Sequence, residues 1–394
     1  MSLSTVAQGI NVQVWVAEET TFGTAVQPTL ADQIYPISVP EVSNEREELD
    51  DEEKDGLTST SEVLLGKYNP TEYNLEVYIK PSGSAGTAPQ GALLYECAFG
   101  TETAGGDVKY SLANDLKSFT LWVLHDHTLL QVPGCTVNEM SATIGGSDYG
   151  RVTFSGMGLQ RYWAGTDELD SGSSGTSLIV TDAGRYSVNS YVIVGSDDNS
   201  GSGFKITAIN YTTNTLTVDA TPSVLTAGTA VTPWIPDTGS VGAGYKVYGK
   251  LGYASREGVA SNLPILESTV TLNNNLEYPN DEKNNSLYPS EVFRPGKREV
   301  TAEFSAYYHE KYADFFYYQN EAELMTLEIP LGSTSGKICT FNIPDSAASS
   351  GGGLYLSNPN PSGDGIMEVS VSGKAIASLA DSATGNNELS VTFS

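Results

Sequence analysis

Two alternating stretches carry most of the information on fold: TEYNLEVYI at residues 71–79 and VTAEFSAYY at residues 300–308. In each, every second residue is apolar and the residues between are mostly polar. This period of two is typical of a β-strand with one buried face. The chain is therefore expected to contain two similar half-buried strands, with Glu72 and Glu76 on the outer face of the first.

The surroundings of these strands are also similar, which indicates an internal duplication. The strings DEEKDGLTSTSEV at 51–63 and NDEKNNSLYPSEV at 280–292 precede them, and each is followed by Gly-Lys. In both copies a segment able to form a helix comes after the strand, followed later by further alternating residues. These later elements are expected at 90–98 and 151–156 in the first copy, and at 310–323 and 366–372 in the second.

The predicted fold is mainly β, with two β-sandwich or barrel domains that each carry a short helix. They span residues 1–170 and 238–394, and a small inserted all-β domain lies at 171–237. Four short strands are expected in the insert, at 177–181, 191–194, 204–209 and 215–218. The 40 Gly and 22 Tyr of the chain favour strands and tight turns over helices.

The charge of the chain excludes one class of partner. There are 48 acidic and 20 basic residues, for a net charge of −28. Nucleic-acid binding depends on Lys and Arg that neutralise phosphates, so specific DNA or RNA binding is not expected. The amino terminus lacks the basic and apolar segments of a signal peptide, and no apolar run is long enough for a membrane helix. We expect assembly in a cytoplasm and no membrane partner.

No constellation of residues points to catalysis, a cofactor or a metal. His125-Asp126-His127 has a spacing that could ligate zinc, but the flanking strands predict a hairpin tip. Asp197, Asn199 and Gly201 faintly resemble a calcium loop, and a turn is expected. Phosphate-binding, nucleophile-elbow and Cys-x-x-Cys motifs are absent from the sequence, and three scattered cysteines indicate buried thiols. The sequence predicts a protein that is not an enzyme.

The acidic segment at residues 41–55 allows two interpretations. A block of like charges cannot pack on itself, which favours a solvated loop. Alternatively, the segment is an arm that orders on a partner copy, since long loops are often functional. Its counterpart at residues 273–290 is also polar.

Several motifs together resemble one family. They are EETTFGTA at 18–25, GSAGTAP at 83–89, ALLYECAFG at 92–100, PGCTV at 133–137, VTFSGMG at 152–158, LNNNL at 272–276 and GKREVT at 296–301. In this order they resemble the major tail tube proteins of siphophages, and the resemblance covers both outer domains. The small middle domain departs from the simplest members.

The resemblance implies a structural protein of the phage tail that stacks in rings to form a hollow tube for genomic DNA. It implies sheets that continue between neighbouring copies, a long loop that reaches the adjacent ring, and a noncontractile tail. Its partners would be its own copies, the tape measure protein, other tail proteins, and passing double-stranded DNA that is not bound specifically. The implied location is the virion.

Six tube folds per ring, as in the family, would require three chains with two folds each; a hexamer is the alternative. Three chains of −28 carry −84 per ring, which would keep DNA sliding if enough carboxylates line the lumen. Glu72 and Glu76 are the lumen candidates. The candidates for ring-to-ring contact are Glu45, Glu47, Glu48, Asp51, Asn280, Asp281 and Glu282.

A different function class fits the composition as well. Small β domains rich in aromatic residues also occur in carbohydrate-binding or adhesive modules of tail tips and cell surfaces. This alternative does not explain the duplicated order of loop, strand and helix. Electron microscopy of the purified protein would separate the two, because only the first forms rings or tubes.

Overall fold

A computed structural model describes most of the chain. The described residues are 8–50, 63–145, 148–236, 244–249, 254–256, 259–263, 265–279, 287–308, 314–344, 352–357, 359–378 and 387–394.

The strands before residue 170 are β1 (Val12–Glu18), β2 (Gln33–Ile34), β3 (Glu41–Ser43), β4 (Arg46–Asp50), β5 (Val63–Tyr68), β6 (Thr71–Tyr78), β7 (Gly100–Ala104), β8 (Val108–Leu112), β9 (Phe119–His125), β10 (Thr128–Gly145), β11 (Arg151–Gly158), β12 (Tyr162–Ala164) and β13 (Asp167–Glu168). The middle strands are β14 (Ser177–Ile179), β15 (Tyr191–Val194), β16 (Phe204–Asn210), β17 (Thr215–Val218) and β18 (Ala230–Pro233). The later strands are β19 (Ala254–Arg256), β20 (Val259–Leu263), β21 (Ile265–Asn273), β22 (Glu299–Tyr307), β23 (Leu324–Met325), β24 (Leu327–Leu331), β25 (Cys339–Ile343), β26 (Gly353–Leu356), β27 (Asn360–Ser362), β28 (Glu368–Ile376) and β29 (Ser390–Phe393). The helices are α1 (Ala92–Phe99) and α2 (Asp314–Asn320), and short 3-10 turns lie at Gly9–Asn11, Leu30–Asp32 and Ala183–Arg185.

One long antiparallel sheet runs through both halves of the chain. Its order is β3, β6, β11, β10, β21, β22 and β28. β26 and β27 share the far side of β28, and β23 pairs with the outer side of β26. The halves meet where β10 pairs with β21 in seven consecutive residue pairs, from Glu139–Asn273 to Gly145–Glu267. We call this sheet the long sheet.

Strand order in the long sheet is the same on the two sides of this junction. β3 and β21 occupy the first position, β6 and β22 the second, and β11 and β28 the third. The fourth position belongs to β10 in the first half and to β26 and β27 in the second. Each half therefore contributes four strand positions.

A second sheet also crosses between the halves and covers the core. Its order is β20, β19, β24, β25, β29, β8 and β7, so the carboxy-terminal strand β29 pairs with β8 of the first half. Apolar residues of both sheets form one continuous core, into which α1 inserts the buried side chains of Leu94, Tyr95 and Phe99. Packing is dense there, with Tyr95 edge-on to Phe154 and Phe393 at 5.2 and 5.3 Å. The halves thus share a core as well as sheets.

The middle residues form a separate six-stranded sheet, in the order β13, β18, β15, β16, β17 and β14, with its own core. An aromatic contact holds this sheet against β9: Trp234 lies edge-on to Trp122, with ring centroids 5.6 Å apart. The Trp122 and Trp234 indole N–H groups donate to the carbonyls of Val26 and Gly201. Both rings are buried, so the middle sheet is firmly docked.

The predicted secondary structure agrees with these elements. The mainly β fold, the alternating strands β6 and β22, and both short helices are observed, although residues 310–313 lie outside the described residues. The strand expected at 366–372 begins at Glu368, after a bend. In the middle sheet β14, β15, β16 and β17 match the four expected strands, and β13 and β18 were not anticipated. The domain boundaries at 170 and 238 stay predictions.

Candidate functional site

The long sheet has one apolar and one polar face. Its apolar face packs into the core, for example through Leu75, Phe154 and Val270. The polar side chains point to the other face and form rows across both halves. They align because residues directly across from each other on paired strands point to the same face of the sheet. One row runs Glu41, Asn74, Ser155, Glu139, Asn273, Glu299. A parallel row runs Glu76, Thr153, Ser141, Thr271, Thr301, Lys374.

The charge on this polar face is strongly one-sided. Among the described residues of the paired strands, eight carboxylates lie on it: Glu41, Glu72, Glu76, Glu139, Glu267, Glu299, Glu303 and Glu368. Its two cations are already engaged. Arg151 contacts Asp148 at 2.8 Å and Glu76 at 3.6 Å, and Lys374 contacts Glu299 at 2.7 Å. The rest of the face is mainly Ser, Thr and Asn, so it is hydrophilic and negative.

Both lumen candidates from the sequence lie on this face. Glu72 and Glu76 alternate with the buried Tyr73, Leu75 and Val77, as the period-two pattern predicts. Sequence reasoning missed the other six carboxylates. For Glu303 the signal was present in the alternation of β22, whereas Glu139 lies beside a β-bulge that interrupts the period of β10.

The acidic segment begins as a hairpin, which we call the acidic arm: strands β4 and β5 pair with each other. Glu45, Glu47 and Glu48 are exposed on it. At its base the ring of Tyr68 stacks on Tyr288 at 4.5 Å, and the Tyr68 N–H donates to the Leu287 carbonyl. The contact candidates Asp51, Asn280, Asp281 and Glu282 lie outside the described residues.

Other residues singled out by the sequence have local roles. Asp126 is at the tip of the β9–β10 hairpin, where its carboxylate accepts hydrogen bonds from the Gln8 N–H and the Asn11 amide. Burial lowers the pKa of the neighbouring His125. The Asp197 carboxylate accepts hydrogen bonds from the Asn199 N–H within its own turn and from the Ser223 N–H of a distant loop. Both segments are turns, as expected.

Burial raises the pKa of all three thiols, which leaves them neutral at physiological pH. The cysteines are Cys97, Cys135 and Cys339, and none forms a disulfide.

Glu19 is a buried carboxylate that sequence reasoning did not mark. It accepts hydrogen bonds from the Ser118 and Thr120 hydroxyls and from the Gly23 and Gly134 N–H groups, all at 2.8 to 2.9 Å. Glu19 satisfies four donors and forms no ion pair with a described cation, which fits a structural role, because these donors would otherwise lack a partner. The carboxylate fixes the ETTFGT turn against β9 and β10.

This geometry defines a class of structural β proteins: two sheets share one core, and a long sheet presents a broad acidic face. A family model described as phage tail tube protein matches residues 9–375. The chain therefore belongs to the phage tail tube protein family, whose members are structural proteins of the virion tail. A comparison with curated proteins gave no match. No helix in the described part of the chain has the length and apolar character to cross a bilayer.

Proposed function

We propose that three copies of this chain close a ring with pseudo-sixfold symmetry, and that stacked rings form the tail tube through which double-stranded DNA passes. The observation that carries the proposal is the β10–β21 junction. It joins two halves that have the same strand order edge to edge within one chain. A tandem duplication of one tube domain accounts for that order.

The internal junction is a template for the contact between chains. It pairs the fourth strand position of the first half with the first position of the second half. The equivalent contact between copies would pair β27 of one chain with β3 of the next, because the outer side of β26 already pairs with β23. Within the described residues, β3 pairs only with β6, and β27 only with β28, so each has an edge available. Short edge strands of this kind avoid pairing with wrong partners until the ring forms.

The size of the resulting barrel suits its role. Eight strand positions per chain give 24 in a trimer, which at a spacing of about 4.8 Å and a tilt of about 40° correspond to a backbone diameter of roughly 48 Å. The acidic polar face would line the lumen. Its carboxylates would repel phosphates over a Debye length of about 8–10 Å, which lets DNA slide without binding.

Native mass spectrometry of purified rings tests the stoichiometry. Three copies of the 41.8 kDa chain are expected. Rings of six copies would refute the trimer and favour the hexamer.

Labelling of engineered cysteines tests the orientation of the polar face. In intact tubes, Glu72→Cys should react with a small maleimide and be protected from a maleimide coupled to a large dextran. Lys205→Cys in β16 of the middle sheet is the matched control and should react with both. The buried native thiols keep the background low. Equal labelling of both positions by the large reagent would place Glu72 outside the lumen and reject this orientation.

We also propose that the acidic arm forms ring-to-ring contacts, through Glu45, Glu47, Glu48 and Asp51 and their counterparts Asn280, Asp281 and Glu282. The support is the exposure of the first three side chains on a hairpin that pairs with neither large sheet. Deletion of residues 45–53 should leave rings but abolish tubes. Normal tubes from this variant would contradict the assignment. Assembly would take place in the host cytoplasm, with the tape measure protein and other tail proteins as partners.

A further inference from the structure

The acidic arm and a group of lysines lie at opposite ends of the strands of the long sheet. The acidic arm enters the sheet at Thr71, the first residue of β6, whereas Tyr78 is the last. At about 3.3 Å per residue these ends are roughly 23 Å apart. Tyr288, in the counterpart segment at residues 273–290, lies at the same end as the acidic arm, because its ring stacks on Tyr68.

Three lysines from distant parts of the chain meet at the far end, among tyrosine rings. Lys246 Nζ is 4.2 Å from the Tyr78 ring centroid, and Lys337 Nζ is 3.7 Å from that of Tyr245. Lys80 Nζ is 5.4 Å from the Tyr35 ring centroid and donates to the Gln90 side chain. We call Lys80, Lys246, Lys337 and these tyrosines the lysine–tyrosine cluster.

Main-chain hydrogen bonds hold the segments of this cluster together. The Tyr245 N–H donates to the Pro81 carbonyl, and the Gly83 N–H donates to the Gly336 carbonyl. The approach is close: a Cβ on Gly336 would lie 2.5 Å from the Gly83 carbonyl oxygen. The backbone therefore fixes the positions of the segments that carry these lysines and tyrosines.

The three lysines contact tyrosine rings and, for Lys80, the Gln90 side chain, but no carboxylate among the described residues. The chain has 48 carboxylates, yet among the described residues the ion pairs of Lys and Arg do not include these three lysines. Burial and the charge of the neighbouring Lys246 lower the pKa of Lys80, as expected of a half-buried cation beside another cation. Lys246 and Tyr245 are exposed, so an incoming acidic segment can reach them.

We propose that the lysine–tyrosine cluster receives the acidic arm of a second copy of this chain in the adjacent ring. The inference rests on the proposed stacking of rings, and it names the surface that completes the contact. Stacking is a head-to-tail interface, which needs two different and complementary patches on each copy. The exposed Glu47 and Glu48 at one end, and at the other the lysines that form no ion pair among the described residues, have that complementarity.

Charge reversal tests the contact. The double variant Lys246→Glu with Lys337→Glu should still form rings of wild-type mass. Its critical concentration for tube formation, measured by sedimentation and electron microscopy, should rise about tenfold or more, because several copies of the contact act together in each ring. Lys205→Glu makes one charge reversal of the same kind on the middle sheet and should assemble as the wild type does.

Combination with the opposite reversal gives the decisive result. Adding Glu47→Lys and Glu48→Lys to the double variant should restore tubes, although these two changes alone should impair them. Wild-type tube formation by the double variant, or failure of this rescue, would overturn the inference. So would loss of rings in the double variant, since the cluster would then act within a ring. Failure of the wild-type chain to form tubes would instead reject the proposed function itself.

Discussion

Replacing Asn274 with alanine is expected to destabilise both halves of the chain together. Asn274 follows β21 in the second half and is fully buried. Its side-chain amide donates to two first-half carbonyls, that of Ala98 at the end of α1 at 2.9 Å and that of Val137 in β10 at 3.1 Å. Its main-chain N–H donates to the Asn138 carbonyl at 2.7 Å and remains in the variant.

The magnitude follows mainly from these two hydrogen bonds; the Asn274 amide oxygen also accepts one from Arg294 Nη2 at 3.3 Å, within the second half. A buried carbonyl that loses its donor costs about 1–3 kcal/mol. The two carbonyls lose their donor together, and water can enter part of the space left by the amide. We therefore expect the free energy of unfolding to fall by about 2–4 kcal/mol.

Tryptophan fluorescence during urea unfolding is the assay, because of where the tryptophans lie. All four, Trp15, Trp122, Trp163 and Trp234, precede residue 238, whereas the substitution lies after it. With a slope of about 3–4 kcal/mol per M, the midpoint of the tryptophan transition should move down by roughly 0.5–1.3 M. Measurements are made on the monomer, so that ring contacts do not contribute.

Ser141→Ala is the matched control. Its hydroxyl also bonds across the junction, to Thr271 at 3.3 Å, but on the polar face where water can replace the partner. We expect a change below about 0.5 kcal/mol. An unchanged tryptophan transition in Asn274→Ala, with loss of structure confined to the second half, would refute a shared cooperative core.

Three further outcomes follow from the same contacts. Glu19→Gln should cost about 2–4 kcal/mol in urea unfolding, because an amide cannot accept all four donors, whereas Glu18→Gln, which loses only an exposed ion pair, should cost under about 1 kcal/mol. Trp234→Ala should release the middle sheet from β9, seen as faster hydrogen exchange in β13–β18 while β21 and β22 stay protected; uniform protection would contradict it. The buried thiols should not react with a thiol reagent at pH 8 until urea unfolds the chain. Because burial raises the pKa of the thiols in the folded chain, the folded state favours the neutral thiol. The stability that the neutral thiols contribute is present below the unfolded thiol pKa of about 8.5 and is lost as the pH rises above it. A free energy of unfolding that increases above pH 9 would contradict this expectation.

Local patterns in the sequence predicted the elements well, for physical reasons. The strands β6 and β22 alternate with a strict period of two, because one face of each meets the core and the other meets water. The same alternation placed Glu72 and Glu76 on the polar face. The alternation did not identify Glu139, because a bulge in β10 adds an extra residue there and interrupts the period of two.

Pairings between distant strands were beyond the sequence. β10 is a single strand of 18 residues whose first part pairs with β9 and whose second part pairs with β11 and β21. Main-chain hydrogen bonds are the same for almost all residue types, so the sequence of a strand does not specify which strand pairs with it. The predicted domains at residues 1–170 and 238–394 therefore did not include the two sheets and the single core that extend over both of them.

The sequence by itself determined the strand phases, the short helices, the acidic balance and the order of motifs that resembles the tail tube family, since each depends on residues near one another in the chain or on composition. Tertiary structure alone decided which carboxylates share a face, that Glu19 is buried among four donors, and that Lys80, Lys246 and Lys337 meet. These residues are brought together by strand pairing and core packing, which act mostly between segments that are distant in the sequence.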